Sequence, residues 1–160
     1  MLGGCTVEPL NASAPQGLGA GSQTVETREA LRSVSVDPVS SRVAQQVRNR
    51  LLFALHGGRP ADIGRYALTL TVRHSTRVLA APLQGEVAKA AQVRVDGAYL
   101  LRERDTGTVV LRGSRAAVAA YDRTDQLFAN KRAERDAQNR AAAELAERLH
   151  LDLAQRIAGR

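Results

Sequence analysis

Aromatic residues make up only 3% of this 160-residue chain, and tryptophan is absent. A core folded from such a sequence has to be aliphatic, filled by Leu, Val and Ala. The single cysteine, Cys5, excludes an internal disulfide and any cysteine-rich metal centre. No run approaches the ~18 consecutive apolar residues that a membrane-spanning helix requires. Lysine is scarce as well: it occurs only at Lys89 and Lys131, so the positive charge is almost entirely arginine.

Catalytic constellations are missing too. His56, His74 and His150 are far apart in sequence, without the H-E-x-x-H spacing or a neighbouring cysteine or carboxylate cluster, and read as surface residues. No G-x-S-x-G occurs; around Ser114 the two glycine positions of a nucleophile elbow hold Arg112 and Ala116. Asp105 and Gly107 lack the further acidic positions of a calcium loop and read as a hairpin turn. The expectation is a protein without enzymatic activity, cofactor or metal.

What is present fits one domain. Hydrophobic residues make up 44% of the chain, near the globular average, which argues against wholesale disorder. The 23 Lys and Arg against 16 Asp and Glu give a net charge of +7 and favour a polyanionic partner: nucleic acid, anionic lipid, or the phosphates of lipid A. Arginine prevalence also follows from a GC-rich genome, so charge alone does not choose among them.

The first residues are more specific. Leu2, Gly3, Gly4 and Cys5 run aliphatic, small, small, cysteine, similar to the lipobox at which bacterial lipoprotein precursors are cleaved and acylated. Small residues let an extended backbone enter a peptidase, and the Cys5 thiol supplies the thioether that carries diacylglycerol. The basic and apolar parts of a signal peptide are not in this sequence, so the start reads as truncated or placed too far downstream. Thr6 to Gln23 is rich in Gly, Ser, Ala, Pro and Asn and shows no sustained periodicity, as a tether would. Residues 1–28 are therefore expected to be lipobox remnant and flexible tether, and 29–158 a single domain.

Periodicity orders that domain. Val34 and Val36 alternate with serines in a short strand ending at Pro38. Val39, Val43, Val47, Leu51 and Leu55 recur every fourth residue, a helix with Asp37 or Ser40 as cap and Gly57, Gly58 and Pro60 as stop. Tyr66 to Val72 and Val93 to Leu101 alternate as a hairpin whose turn lies around Pro82 to Gly85. Val109 to Tyr121 is the fourth strand, with Gly113 and Ser114 as its expected bulge. Ala133, Ala137, Ala141, Leu145, Leu149, Leu153 and Ile157 stripe a final helix. The fold class expected is α+β, order β-α-β-β-β-α: a two-layer sandwich of a four-stranded, mainly antiparallel sheet with two helices on one face.

Those elements behind a lipobox resemble the LptE family of lipopolysaccharide-assembly lipoproteins over roughly residues 29 to 158. The resemblance rests on "VSVDPVSSRVAQQVRNRL", on Tyr66-x-Leu68 and Tyr99-x-Leu101, on Tyr121-Asp122, and on "RDAQNRAAAELAERL" with Asp136, Arg140 and Glu144. It implies a Gram-negative protein anchored through Cys5 lipid at the periplasmic face of the outer membrane. Its implied partner is an LptD-like outer-membrane β-barrel, which it helps to assemble, and its implied ligand is lipopolysaccharide. Low aromatic content and abundant arginine are where the sequence departs from the family.

Arginine on the sheet is the candidate binding feature. Arg73, Arg77, Arg94, Arg102, Arg112 and, given the bulge, Arg115 populate the face expected to be free of helices, and guanidinium groups grip phosphate in two-point geometry. The alternative is a merely solvated face, or one meeting the polar lumen of a barrel. Arg115 leads the lipopolysaccharide-binding candidates, because "SRAAVAAY" is otherwise apolar and the helix stripes offer no acid to neutralise a buried guanidinium. Arg77 and Lys89 flank the hairpin tip, and Arg112 completes the set. Two other readings compete: an auxiliary lipoprotein of an ABC-type envelope lipid transporter, and a nucleic-acid-binding module. The last lacks exposed aromatic platforms for stacking, and a lipobox removes it from the cytoplasm.

Overall fold

The computed structural model describes residues 20–59, 64–79 and 90–159, with side chains from residue 25 onward. Cys5, Lys89, residues 1–19 of the expected tether and the turn around Pro82 to Gly85 lie outside the described residues. The elements run α1 (Ala20–Arg32), β1 (Val34–Val36), α2 (Arg42–His56), β2 (Tyr66–Val78), β3 (Ala90–Glu103), β4 (Val109–Asp122) and α3 (Leu127–Ala158). The strands form one sheet in the order β1-β2-β3-β4, with β1 parallel to β2 and the other neighbours antiparallel. The expected α+β sandwich is there, with one helix more than the sequence pattern suggests.

That helix is α1, and it takes in residues 20–28 of the segment read as tether. Its sequence has weak amphipathicity, so propensity does not explain it; Thr27 and Leu31, one turn apart, are buried, and α1 packs on α3 and α2. Tertiary packing of one face makes a helix out of a sequence that reads as linker.

α2 follows its four-residue pattern closely: Val43, Val47, Leu51 and Leu55 are buried. Its N-cap is Ser41, whose hydroxyl accepts from Ala44 N at 3.2 Å, one residue beyond the expected Ser40. Gly57 closes the helix in the left-handed region at φ 62°. His56, expected on the surface, is buried instead, with Nε2 2.9 Å from Val34 O. It uses a backbone carbonyl of β1 that no strand pairs among the described residues.

α3 has 32 residues, about 48 Å of helix, long enough to run the length of β3 and β4. Ala137, Ala141, Leu145, Leu149 and Leu153 of the expected stripe are fully buried. They share one core cluster with Val93, Val95, Leu101, Ala117 and Ala119 of the sheet, on which α3 packs. The core is aliphatic as composition requires, with Tyr99 the one aromatic side chain in it below a tenth exposed. No helix among the described residues is long and apolar enough to cross a membrane.

The bulge in β4 is not at Gly113 and Ser114. Leu101 pairs with Leu111 and Arg102 with Val109, which leaves Val110 as the extra residue. From Leu111 to Asp122 the alternation is unbroken, and this one-position difference decides which side Arg115 takes.

Candidate functional site

The helix-free face of the sheet carries Thr71, Arg73, Ser75 and Arg77 from β2, Arg94, Asp96, Ala98 and Arg102 from β3, and Arg112, Ser114 and Ala116 from β4. This follows from strand parity, since the alternate residues Leu70, Val95, Tyr99 and Ala117 are buried under the helices. Five of the six arginines assigned to this face by sequence lie on it. A groove of about 600 Å³ crosses its middle, bordered by Thr71, Arg73, Arg94, Asp96, Ser114 and Arg115.

Within the groove Arg94 grips Asp96 on its own strand, Nε at 2.9 and 3.0 Å and Nη2 at 2.7 Å from the carboxylate oxygens. That hydrogen bond, more than simple Coulomb attraction, raises the Arg94 pKa. Arg73 lies directly across from Asp96 on β2. Arg73, Arg77, Arg102 and Arg112 make no side-chain hydrogen bond or ion pair among the described residues. The face thus presents four guanidiniums with open donor forks and one that is already neutralised. Such an array suits a dispersed polyanion better than a single small ion.

Arg115 is placed differently. Unbroken alternation puts it with Ala117 and Ala119 on the helix side, opposite Gly97, where its Nη2 pairs with Asp152 of α3. The premise that the helices offer no acid fails at Asp152, which lies on the buried side of α3 three residues after Leu149 and is 3% exposed. The same carboxylate accepts the Tyr99 hydroxyl at 2.6 Å and lies 3.5 Å from Arg156 Nε. Two cations and a phenol therefore satisfy one buried carboxylate, which removes most of the penalty for burying it. Burial first, and the bond to Asp152 second, push the Tyr99 pKa up to about 12. Tyr99 pairs across the strands with Gly113, where a Cβ would stand 2.7 Å from the ring and 2.8 Å from Asp152 Oδ2. Only glycine leaves room for the phenol to reach the carboxylate. Arg115 remains 43% exposed at its side chain and also donates to Ser114 O, so its first role is structural.

The four lipopolysaccharide-binding candidates do not converge. Arg77 pairs with Gln92, and Arg112 with Leu100 on the same strand, so they stand eight residues, about 27 Å, apart along the sheet. Arg115 faces the other side, and Lys89 is outside the described residues. What sequence reading missed is the Asp152, Tyr99, Arg115 and Arg156 cluster. Spacing does not single it out: Glu144 follows Ala137 by seven residues as Asp152 follows Leu145, yet of the two only Asp152 is buried. Among the described residues no group of three His, Cys, Asp or Glu side chains is placed to hold a metal ion.

No family model matches this sequence, and no curated protein matches it. Solved structures do. A predicted lipoprotein from Caulobacter crescentus CB15 superposes with a TM-score of 0.70 at 27% identity, covering 85% of this chain and 98% of that one. A minor lipoprotein from Acinetobacter baumannii gives 0.61 at 14% identity, covering 76% of this chain and 90% of that one. Rare lipoprotein B from Shewanella oneidensis gives 0.57 at 14% identity, covering 76% and 92%. The last two share the fold with this chain. The Caulobacter protein shares sequence as well.

Proposed function

We propose that this chain is a lipid-anchored envelope lipoprotein of the LptE type, a binding and assembly subunit and not a catalyst. The observation that carries the reading is the match to the Caulobacter lipoprotein, end to end in that protein and at 27% identity, behind a Leu2 to Cys5 lipobox in this one. In this reading Cys5 carries the lipid and the domain sits at the periplasmic face of the outer membrane. Its partner is an LptD-like β-barrel whose assembly it assists, and its ligand is lipopolysaccharide on its way to the surface. The four open guanidiniums of the sheet face support the choice of a phosphorylated, polyanionic ligand, with Arg73 beside the groove and Arg77 and Arg112 toward its two ends.

Metabolic labelling tests the anchor. Expressed behind a complete signal peptide, the protein is expected to incorporate labelled fatty acid and to fractionate with the outer membrane, and Cys5→Ser to lose both. Membrane association that survives Cys5→Ser removes acylation as the anchor. Binding to purified lipopolysaccharide tests the ligand, with weakening by added salt as the expected signature of phosphate contacts.

A further inference from the structure

Several backbone carbonyls on the outer edges of this sheet accept hydrogen bonds from arginine and histidine side chains, whereas along one segment of β2 none does among the described residues. At the β4 edge, Arg140, Arg148 and Arg156 of α3 donate to the carbonyls of Ala120, Ala116 and Arg112 at 2.8, 2.5 and 2.5 Å, and Arg115 donates to Ser114 O at 2.8 Å. The spacing is matched: eight residues of helix rise about 12 Å and four residues of strand span about 13 Å. At the β1 edge, Arg48 of α2 donates to Val36 O and Asp37 O at 2.9 Å each, and His56 Nε2 meets Val34 O at 2.9 Å.

β1 is only three residues long and covers β2 from Tyr66 to Leu68. Pro38 then turns the chain away into α2, and β2 continues to Val78 without a neighbour on that side among the described residues. Tyr66 N bonds Ser33 O, and Leu68 O accepts Asp37 N, so the even-numbered residues point their backbone groups outward. Leu70, Val72, His74 and Thr76 therefore present an outward ladder of donors and acceptors that no described residue meets. A groove of about 520 Å³ runs along its start, walled by Val39, Ser41 and Ala44 opposite Leu70 and Val72.

We propose that this edge of β2 receives an extended segment of a partner protein as an added strand. The surroundings fix its chemistry. Side chains of the added strand alternate between the two faces of the sheet. Those turned to the helix side meet Leu70, Val72, Val39 and Ala44 at the start of the edge and are apolar there. Those turned to the open side meet Arg73 and Arg77, whose donors are unfilled among the described residues, and are acidic. A second copy of this chain is a poorer occupant, since pairing two β2 edges sets Arg73 and Arg77 against their own kind.

Amide hydrogen exchange on the whole chain tests the proposal, with a short acetylated peptide alternating valine and glutamate as the probe. The amides of Leu70, Val72, His74 and Thr76 are expected to slow by at least about tenfold at saturating peptide. The same peptide with lysine for glutamate is expected to leave them unchanged. Val72→Pro removes one outward N–H and should abolish protection; Arg73→Glu with Arg77→Glu, which leaves the strand intact, should transfer it to the lysine peptide. No protection at this edge, equal protection by both peptides, or slowing without peptide through self-pairing of the chain would each overturn the inference.

Discussion

Two sets of arginines on the sheet and on α3 differ in what their guanidiniums touch. Arg115, Arg140, Arg148 and Arg156 tie α3 to β4, through the buried Asp152 carboxylate or through carbonyls of the strand edge. Arg73, Arg77, Arg102 and Arg112 stand on the opposite face with their donors unfilled among the described residues. The difference teaches that a high arginine content is two properties in one: a fastening between layers and an electropositive surface. Only the second is available to a ligand, and substitutions separate them.

Breaking the fastening should cost most. Leu149→Ala, at a fully buried position between the layers, is expected to lower stability by about 2 to 5 kcal/mol in denaturant melts, and serves as the yardstick for the interface. Asp152→Ala strands the Tyr99 hydroxyl and the inner ends of Arg115 and Arg156; because the arginines are partly exposed and rehydrate, a loss of about 2 to 3 kcal/mol is expected. A melt no different from the native one would mean that the carboxylate does not join the layers.

Alkaline titration is a gentler probe of the same cluster. The folded Tyr99 phenol has a pKa raised to about 12 from its ordinary 10.0, so between those values the unfolded chain has released a proton that the folded chain retains. Stability is then fully present below pH 10 and declines as pH rises toward 12. The melting temperature should fall more steeply over that window in the native protein than in Tyr99→Phe.

Charge reversal contrasts the two groups directly. Arg115→Glu puts a carboxylate against Asp152 and should destabilise by about 1 to 2 kcal/mol. Arg112→Glu, on the open face, should change stability by less than about 0.5 kcal/mol. For lipopolysaccharide binding the order reverses: Arg73→Glu combined with Arg112→Glu should weaken it at least about tenfold, and Arg115→Ala much less. Equal losses of affinity at both sets would erase the distinction.

Much of this was legible in the sequence, and the exceptions have one physical origin. Period-four and period-two patterns placed α2, α3 and all four strands, because each has one buried face that must be apolar. α1 was not legible, since its helix depends on packing of Thr27 and Leu31 against partners distant in the chain. A bulge at Gly113, a natural site for one, would put Arg115 on the open face, and the structure has it on the other. Gly113 is there instead to make room for Tyr99, and the extra residue is Val110. Asp152 was not legible either: Glu144 stands between Ala141 and Leu145 as Asp152 stands between Leu149 and Leu153, and only the structure shows that Asp152 is the buried one and that Arg115 is its partner. The edge of β2 was not legible at all, since which strand stays uncovered depends on the shortness of β1.

What the protein holds in its own membrane is the most direct test of its role. Affinity purification of the full-length, acylated protein from native Gram-negative envelopes, followed by mass spectrometry of the bound proteins and lipids, should recover a large outer-membrane β-barrel together with lipopolysaccharide. Recovery of inner-membrane ABC transport components in place of the barrel would contradict it.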